Sequence, residues 1–414
     1  MEAKQEIEYL FNYLVSKCLN TFDWKDKSVY IGTGKEPHSI LLSEKAEYDT
    51  LLEKLIKYDK NLIKTISRKS FSDQLFEYIW KCRRDGYINV SFQCIIDNVI
   101  KILNELELEE RIVFHTIEGI DILAEVPVSI GNFVFYNADI HRKCMEEEYL
   151  KGKRNWEKEG LFWLKQGECW VSTRVITRDY EKAIEEGIEK FDRLQNILRF
   201  LLSYCNPKFD VGILNYKRYM SDEIIVLSEK TNGICMKNIA DGALKKVDIN
   251  VLLESYSSIG IDSQNLIRNI DNIHGLSKME QRIMNAIDLY GRANRDYGKA
   301  IGFLEAMLSV ESLFQRNLSD LASKSIGAEI SEMCAFFLGN SFEERVNVEK
   351  RIKNLYGIRS KIAHGASMLV EEKECRDVMD CAWNVIIEVI IKSKQINIKT
   401  EEDLYAYIQR MRYT

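Results

Sequence analysis

The stretch LYGIRSKIAHG, residues 355–365, decides how this chain is interpreted. It places a permanent cation, Arg359, five residues before an imidazole, His364. Arginine stays charged at any working pH and can fork onto a phosphate. Histidine has an ordinary pKa near neutrality, so its ring can give or take a proton. Together the two side chains are the minimal equipment for cleaving a phosphodiester without a metal ion.

The spacing alone is not specific. The chain has five histidines, and arginine is about one residue in twenty, so a chance Arg-x4-His match has odds of roughly one in four. The plain alternative is a surface arginine followed by a histidine that caps or packs a turn. The sequence around the motif has to decide between them.

Helical periodicity surrounds the motif. Apolar residues recur at helical spacing in about 277–297, 299–316, 321–337, 341–355 and 372–394. The segments starting at Ser277 and Ser341 open with capping boxes, in which a glutamate follows three residues after the serine. We therefore predict an all-α helical bundle over residues 275–395, followed by a tail with a short helix over residues 396–414.

Residues 1–274 have a mixed pattern and are predicted to form an α+β region, subdivided near residues 110 and 207. Predicted helices cover about 6–19, 43–66, 91–106 and 179–204, and predicted strands cover 29–31, 40–42, 111–117, 122–128, 133–136, 170–175, 211–214 and 224–227. The β-branched and aromatic strands between residues 111 and 175 predict a small antiparallel or mixed sheet.

Composition excludes several classes of protein. Apolar residues make up 46% and charged residues 29% of the chain, as in ordinary globular proteins. No apolar run is long enough for a membrane span, and the N-terminus lacks a signal-peptide core, so we expect a cytoplasmic protein without membrane contact. The ten cysteines form no CxxC pair and predict buried, reduced thiols. The net charge of −6 disfavours a broad nucleic-acid surface, so any RNA contact should be local, or the partner is a protein.

The C-terminal pattern resembles the HEPN superfamily, and most closely its ApeA-like branch, known from bacterial anti-phage defence. The matching features are Leu355-Tyr356, Arg359-Ser360 and His364-Gly365. The upstream run FLEAMLSVESL, residues 303–313, is similar to the family's Leu-Glu-x-Leu helix. The resemblance covers about residues 275–395.

The resemblance implies a metal-independent endoribonuclease with no cofactor. Two chains would pair through the bundle, so that two motifs face one cleft. The RNA 2′-OH would attack the adjacent phosphate, with His364 as general base or acid and Arg359 holding the phosphate. The products would be 2′,3′-cyclic phosphate and 5′-OH ends. Ser360 stands where many family members have Asn, Asp or His.

Neighbouring side chains have two interpretations each. Glu311, in an apolar helix, either orients Arg359 or pairs with another bundle arginine such as Arg292. Lys361 either contacts phosphate or is solvated, and Tyr356 either stacks on a base or packs against the bundle.

The remaining candidates are weak. Gly32–Lys35 lacks the P-loop spacing, and His38 and His141 lack metal-ligand spacing. The three tryptophans at 156, 163 and 170 and the glutamates at 146–148 are interpreted as core and solvated residues.

Three functions remain open on sequence alone. The resemblance implies an abortive-infection toxin that cleaves tRNA or another host RNA after residues 1–274 sense a phage-derived or protein trigger. The first alternative is a non-catalytic HEPN module for dimerisation or RNA or nucleotide binding, joined to an N-terminal sensor. The second is a pure sensor or scaffold protein.

Overall fold

The computed structural model describes most of the chain. The described residues are 2–19, 28–30, 39–145, 168–205, 212–213, 222–228, 233–239, 246–314, 326–365 and 369–413.

Within these residues the main helices are α1 Glu2–Lys17, α2 Lys45–Tyr58, α3 Arg68–Arg84, α4 Phe92–Glu105, α5 Tyr180–Cys205, α6 Ile249–Ser255, α7 Ser263–Arg268, α8 Lys278–Arg295, α9 Ala300–Phe314, α10 Ile326–Leu338, α11 Phe342–Ala363, α12 Glu372–Gln395 and α13 Glu401–Arg412. The strands are β1 Ser28–Tyr30, β2 Ser39–Leu41, β3 Glu109–Glu118, β4 Ile120–Asp121, β5 Val128–Ile130, β6 Phe133–Asn137, β7 Cys169–Thr177, β8 Gly212–Ile213, β9 Asp222–Ser228, β10 Gly233–Ile239 and β11 Val247–Asp248.

The chain divides into two compact units that are not contiguous in sequence. Unit 1 comprises residues 1–113 and 174–188, and unit 2 comprises residues 114–173 and 189–414. Strands β3 and β7 and helix α5 each contain residues of both units. The division predicted at 274/275 falls inside unit 2.

Unit 1 is built around the apolar faces of α1 to α4. Its core includes Phe11, Leu55, Phe76 and Ile95, none of which is more than marginally exposed. Ser67 and Ser91 cap α3 and α4 by accepting hydrogen bonds from backbone N–H groups of the first turn, which satisfies donors that a helix start leaves free. Strands β1 and β2, which were predicted as short strands, pair antiparallel.

The five-stranded sheet has the order β5-β6-β7-β3-β8. Strands β5 to β7 form an antiparallel meander in which Phe133 faces Thr173 and Phe135 faces Val171. Strands β9 and β10 form a separate antiparallel pair. Strand β10 was not predicted from the sequence. Strand β8, in the predicted segment 211–214, pairs with β3.

The strand predicted over residues 122–128 is wrong for most of its length. Only Val128 is in a strand, because the backbone between β4 and β5 bonds outside the sheet. Leu123 N–H donates to Asp248 at 3.0 Å, and Ala124 O accepts from His141 Nε2 at 3.0 Å. Pro127 also supplies no N–H for a ladder.

Helix α5 changes its surroundings along its length. Its early apolar residues Ile184 and Ile188 are half exposed, although the sequence predicted them to face the core. From Phe191 to Leu202 nearly every residue on all sides is buried. In unit 2, α5 crosses α8 at Gly291, where an added Cβ would lie 2.4 Å from Asn196 Cα. Only glycine allows this close approach.

Helices α8 to α12 form an all-helical C-terminal region, as predicted. Helix α9 packs against α8, α11 and α12, and α10 packs against α11. The C-terminal helix α13 belongs to the same assembly, because Glu401 pairs with Arg282 on α8 and Arg412 pairs with Glu332 on α10. The α+β character of the N-terminal region and the helical character of the C-terminal region are both confirmed.

Candidate functional site

Helix α11 carries the motif. Ser341 Oγ accepts the Glu344 N–H and starts the helix, while the Glu344 carboxylate accepts from the Asn340 N–H, one residue before the cap position. The helix then runs for 22 residues through Arg359 to Ala363. The motif was expected after a helix; instead, it occupies the last two turns of one.

His364 closes the helix. Its backbone N–H donates to Ser360 O at 3.0 Å, and the following Gly365 adopts a left-handed φ of 73°. Glycine at this position ends a helix without the steric cost of a Cβ. The sequence Ser-Lys-Ile-Ala-His-Gly therefore fixes a helix end, and His364 lies on it with an exposed side chain.

Arg359 is bound by Glu311. The guanidinium donates from Nε to Oε1 at 3.1 Å and from Nη2 to Oε2 at 3.4 Å. Side-chain exposure is 27% for Arg359 and 14% for Glu311, so the pair is largely removed from water. The carboxylate predicted to orient Arg359 or to pair with another arginine thus contacts Arg359. Arg292 pairs instead with Asp288 on its own helix.

Burial sets the electrostatics of this pair. Loss of water raises the pKa of the Glu311 carboxyl, and the nearby Arg359 charge lowers it by a smaller amount, so the pKa remains raised. A half-buried carboxyl whose pKa is shifted by desolvation beside a specific charged partner is a common feature of functional sites, although structural ion pairs share it.

Tyr356 packs between the pair and α10. Its ring lies against Gly327, where an added Cβ would come within 2.6 Å of Cδ1. The Arg359 guanidinium carbon lies 5.5 Å from the ring centroid, within cation–π distance. Burial, followed by the Glu311 charge, raises the pKa of the Tyr356 hydroxyl. Tyr356 therefore contacts both Gly327 of α10 and the Arg359 guanidinium, and its packing role is visible in the structure.

Arg359 and His364 leave the helix in different directions. Five residues of α-helix rotate a side chain by about 140° and advance it by about 7.5 Å. Arg359 is turned toward α9, whereas the His364 ring makes no hydrogen bond to any residue in the described ranges. Ser360 is half-buried, and Lys361 is exposed without an ion pair among the described residues.

The other sequence candidates lie apart from this site or outside the described residues. His141 is buried; its Nδ1 accepts the Asn137 N–H at 2.8 Å and its Nε2 donates to Ala124 O, so its role is structural. His115 lies in β3 against Phe191. Trp170 packs in β7 beside the Tyr136 cluster. Residues 32–35, His38, Glu146–Glu148, Trp156 and Trp163 lie outside the described residues.

The sequence interpretation missed two polar features of the bundle. Arg199 in α5 is 1% exposed and donates to Asn196 Oδ1 at 3.1 Å, while Asn196 donates to Asp288 on α8 at 2.8 Å. Glu305, two turns before Glu311, has a buried Oε2 without a hydrogen-bond partner among the described residues, and burial raises its pKa. Polar residues inside an apolar helical face were the available signal for both.

Comparison with protein-family models, curated proteins and solved structures gives no match to this chain. Within the described ranges, no three His, Cys, Asp or Glu side chains are grouped to hold a metal ion. None of the helices assigned there is long and apolar enough to cross a membrane.

Proposed function

We propose that the chain is a metal-independent endoribonuclease of the HEPN type, with helices α8–α12 as its HEPN-like bundle. The observation that carries this proposal is the pairing of Arg359 with Glu311, next to an exposed His364 at the end of the same helix. A guanidinium held by a buried carboxylate and a solvent-accessible imidazole supply a phosphate ligand and a proton carrier.

The proposed reaction is an internal transesterification. The RNA 2′-OH attacks the adjacent phosphorus and gives its proton to one His364 ring. The bond from phosphorus to the 5′ oxygen breaks, and that oxygen takes a proton from an imidazolium. The products are a 2′,3′-cyclic phosphate and a 5′-OH end. Arg359 offsets the charge that develops on the phosphate oxygens.

The proposal places a second copy of the chain across the site. Arg359 and His364 are rotated away from each other around the helix, which favours a cleft that each chain completes for the other. On α9, Ile301 and Leu308 are 49% and 38% exposed. Leu308 follows Ile301 by seven residues and precedes Glu311 by three, so the three residues lie along one side of the helix. This exposed apolar surface beside the ion pair is the proposed dimer contact, with two Arg359 and two His364 side chains sharing one cleft.

The proposed biological role is anti-phage defence by abortive infection in the cytoplasm. The bundle would act as a toxin on tRNA or another host RNA, and the N-terminal region would respond to a phage-derived or protein trigger. These assignments rest on the resemblance to the ApeA-like branch, which is an analogy of fold and motif.

One observation favours the alternative, a non-catalytic HEPN module that dimerises or binds RNA or nucleotide. Both Nε and Nη2 of Arg359 already donate to Glu311, so the guanidinium has fewer donors free for a phosphate. The two functions differ in a measurable way, because only the nuclease leaves cyclic phosphate ends.

Cleavage of tRNA by the full chain tests the proposal. We expect 2′,3′-cyclic phosphate products that are unaffected by EDTA, and losses of at least about 100-fold in Arg359→Ala and His364→Ala. Matched controls are Arg351→Ala, an exposed arginine on the same helix, and His274→Ala, an exposed histidine outside the bundle helices. Wild-type protein that cuts no RNA with or without infected-cell extract, or variants that keep cutting, would exclude the nuclease.

Mixing the two inactive variants tests the composite site. Each homodimer would lack either both arginines or both histidines, whereas a mixed dimer would retain one of each. Partial recovery of cleavage on mixing supports a site shared between chains. Activity that never recovers, although mass spectrometry detects the mixed dimer, argues against it.

A further inference from the structure

One side of helix α11 is exposed along its length and carries hydrogen-bond donors. At about 100° per residue, one set of side chains past the first turn lies within about 60° of a common line along the helix. We call this set the α11 stripe; its members, all of them exposed, are Val346, Asn347, Lys350, Lys353, Asn354, Gly357, Lys361 and His364. The stripe contains no carboxylate and ends at the histidine of the motif.

The charge of this part of the chain is opposite in sign to that of the whole protein. The chain has a net charge of −6, whereas residues 345–365 contain three arginines, three lysines and a single carboxylate, Glu349. Glu349 lies beside the stripe, and its carboxylate pairs with Lys353. Lys350 and Lys361 form no ion pair within the described ranges. The stripe therefore keeps two cations that can bind an anion.

The carboxylates that other helices bring to α11 are bound on its other sides. Asp377 of α12 accepts from Arg351 at 3.1 Å, and Glu311 of α9 holds Arg359. By helical rotation, Arg351 lies about 100° and Arg359 about 180° around the helix from Lys350. Two glutamates in the first turn of α12 are engaged within that helix. These contacts leave the positive charge of the stripe in place.

The dimensions of the stripe suit one nucleic-acid strand. From Lys350 to His364 the helix rises about 21 Å, which spans several phosphates of a strand. Midway, Gly357 has no side chain, and no atom of another residue would lie within 4 Å of an added Cβ. A strand can therefore approach the helix closely at this point. The stripe is one helix face wide, which leaves a second strand without cations to contact.

We propose that the α11 stripe binds the phosphate backbone of single-stranded RNA and leads the strand to His364. Lys350 and Lys361 contact phosphates, and Asn354 between them adds a neutral donor. Such contacts position a strand without selecting its sequence. The inference rests on the proposed function, because it takes the ligand to be the RNA of that site, but binding and cleavage can be measured separately.

Fluorescence anisotropy of the full chain with a labelled 2′-O-methyl oligouridylate of about twelve nucleotides tests the stripe. The blocked 2′ oxygen prevents cleavage, so only binding is measured. Each phosphate contact to a single strand adds about −0.7 to the slope of log affinity against log salt concentration. In Lys350→Gln/Lys361→Gln we expect the slope to become less steep by about 1.4 and the affinity at about 0.1 M salt to fall about 25-fold.

Two further variants separate the stripe from general charge effects. Lys394→Gln/Lys399→Gln makes the same charge change at exposed lysines in the last turn of α12 and just after it, and should bind as the wild type does. Gly357→Glu places a carboxylate in the middle of the stripe, at an open helical position that accepts a side chain. It should weaken binding at least about tenfold while urea unfolding stays cooperative.

Several results would overturn the proposal. Absence of saturable binding up to about 100 μM protein at about 50 mM salt excludes the stripe as an RNA site. Equal losses in the two double-lysine variants, or unchanged affinity in Gly357→Glu, would do the same. Polyglutamate that competes as well as RNA would assign the stripe to an acidic protein, and a duplex that competes better than the single strand would refute the single-strand assignment.

The tRNA cleavage assay distinguishes failure of the stripe from failure of the proposed function. Cleavage to cyclic phosphate ends that does not depend on Lys350 and Lys361 would refute the stripe alone. Lysine-dependent binding without any cleavage would refute the nuclease and leave the stripe as the site of an RNA-binding module.

Discussion

Replacement of Glu311 by glutamine should have little effect on stability and a large effect on Arg359. The gross attraction between two charges about 4 Å apart is about 4 kcal/mol at an effective dielectric constant of about 20. Burial nevertheless leaves the pKa of Glu311 raised, so desolvation of the carboxylate exceeds what Arg359 returns. Glutamine keeps the shape and removes that cost, while Arg359 loses a charged partner.

The sign of the pH dependence follows from the raised pKa. The contribution of Glu311 to stability is fully present below its unfolded pKa, about 4.5, and is lost as the pH rises through the folded value. Above the folded pKa that contribution is lost, and Glu311→Gln should change the free energy of unfolding by no more than about 1 kcal/mol, because Arg359 is 27% exposed and can regain water when it loses its partner. Urea unfolding at pH 7 measures this change.

The effect on function should be much larger. Glutamine has one acceptor oxygen in place of the two that accept from Nε and Nη2 at 3.1 and 3.4 Å, so the guanidinium is no longer held by a separate oxygen at each nitrogen. Misplacement of a catalytic group by about 1 Å can cost roughly 100-fold, and we expect RNA cleavage to fall by about 10- to 100-fold. The matched control is Glu305→Gln, a second carboxylate with a raised pKa on α9, which should retain activity.

Two outcomes would refute this reasoning. A loss of more than about 3 kcal/mol in Glu311→Gln would mean that the pair holds the bundle together. Full activity in Glu311→Gln, together with a large loss in Arg359→Ala, would mean that Arg359 needs no carboxylate to position it.

Three further predictions concern packing and acid stability. Gly327→Ala should destabilise by about 1–3 kcal/mol in thermal or urea unfolding and lower RNA cleavage, because the new methyl displaces the Tyr356 ring; Gly357→Ala, a helical glycine with open space around it, should stabilise by about 0.5–1 kcal/mol. Ser341→Ala removes the cap of α11 and should cost about 1 kcal/mol of unfolding free energy, whereas an unchanged value would show that the cap is redundant. Burial lowers the pKa of His115, so stability is complete above the unfolded pKa of about 6.5 and falls as the pH decreases below it; His115→Gln should reduce the loss in urea stability between about pH 7.5 and 5, and an identical loss would contradict this assignment.

The sequence predicted the partner of Arg359 better than it predicted where Arg359 lies in its helix. Glu311 stood out because a carboxylate among apolar helical residues needs a counter-charge, and the structure supplies Arg359. The position of Arg359 inside α11 was not predicted, because the predicted helical segment ended at residue 355. In the structure Gly357 is an exposed helical residue, and the helix end is set by Gly365.

Helix α3 shows why periodicity failed elsewhere. Its buried residues include Phe71, Phe76, Tyr78 and Trp80, and adjacent positions from Tyr78 to Trp80 are all buried. Aromatic residues favour strands in isolation, and a helix buried on more than one face has no clean stripe to detect. No helix was therefore predicted over residues 68–84, although a serine that could cap a helix start stands just before them.

The sharing of α5 between the two units limits how the protein can be dissected. The chain crosses between units at 113/114, 173/174 and 188/189, so no single cut separates the two units. Gly291 of α8 lies so close to the α5 backbone that any side chain at this position would clash with it. A fragment beginning at residue 275 would expose that groove and the Asp288 partner of Asn196 to water. The C-terminal bundle consequently cannot be moved into another protein by itself. A fusion or truncation that contains the bundle must also contain α5.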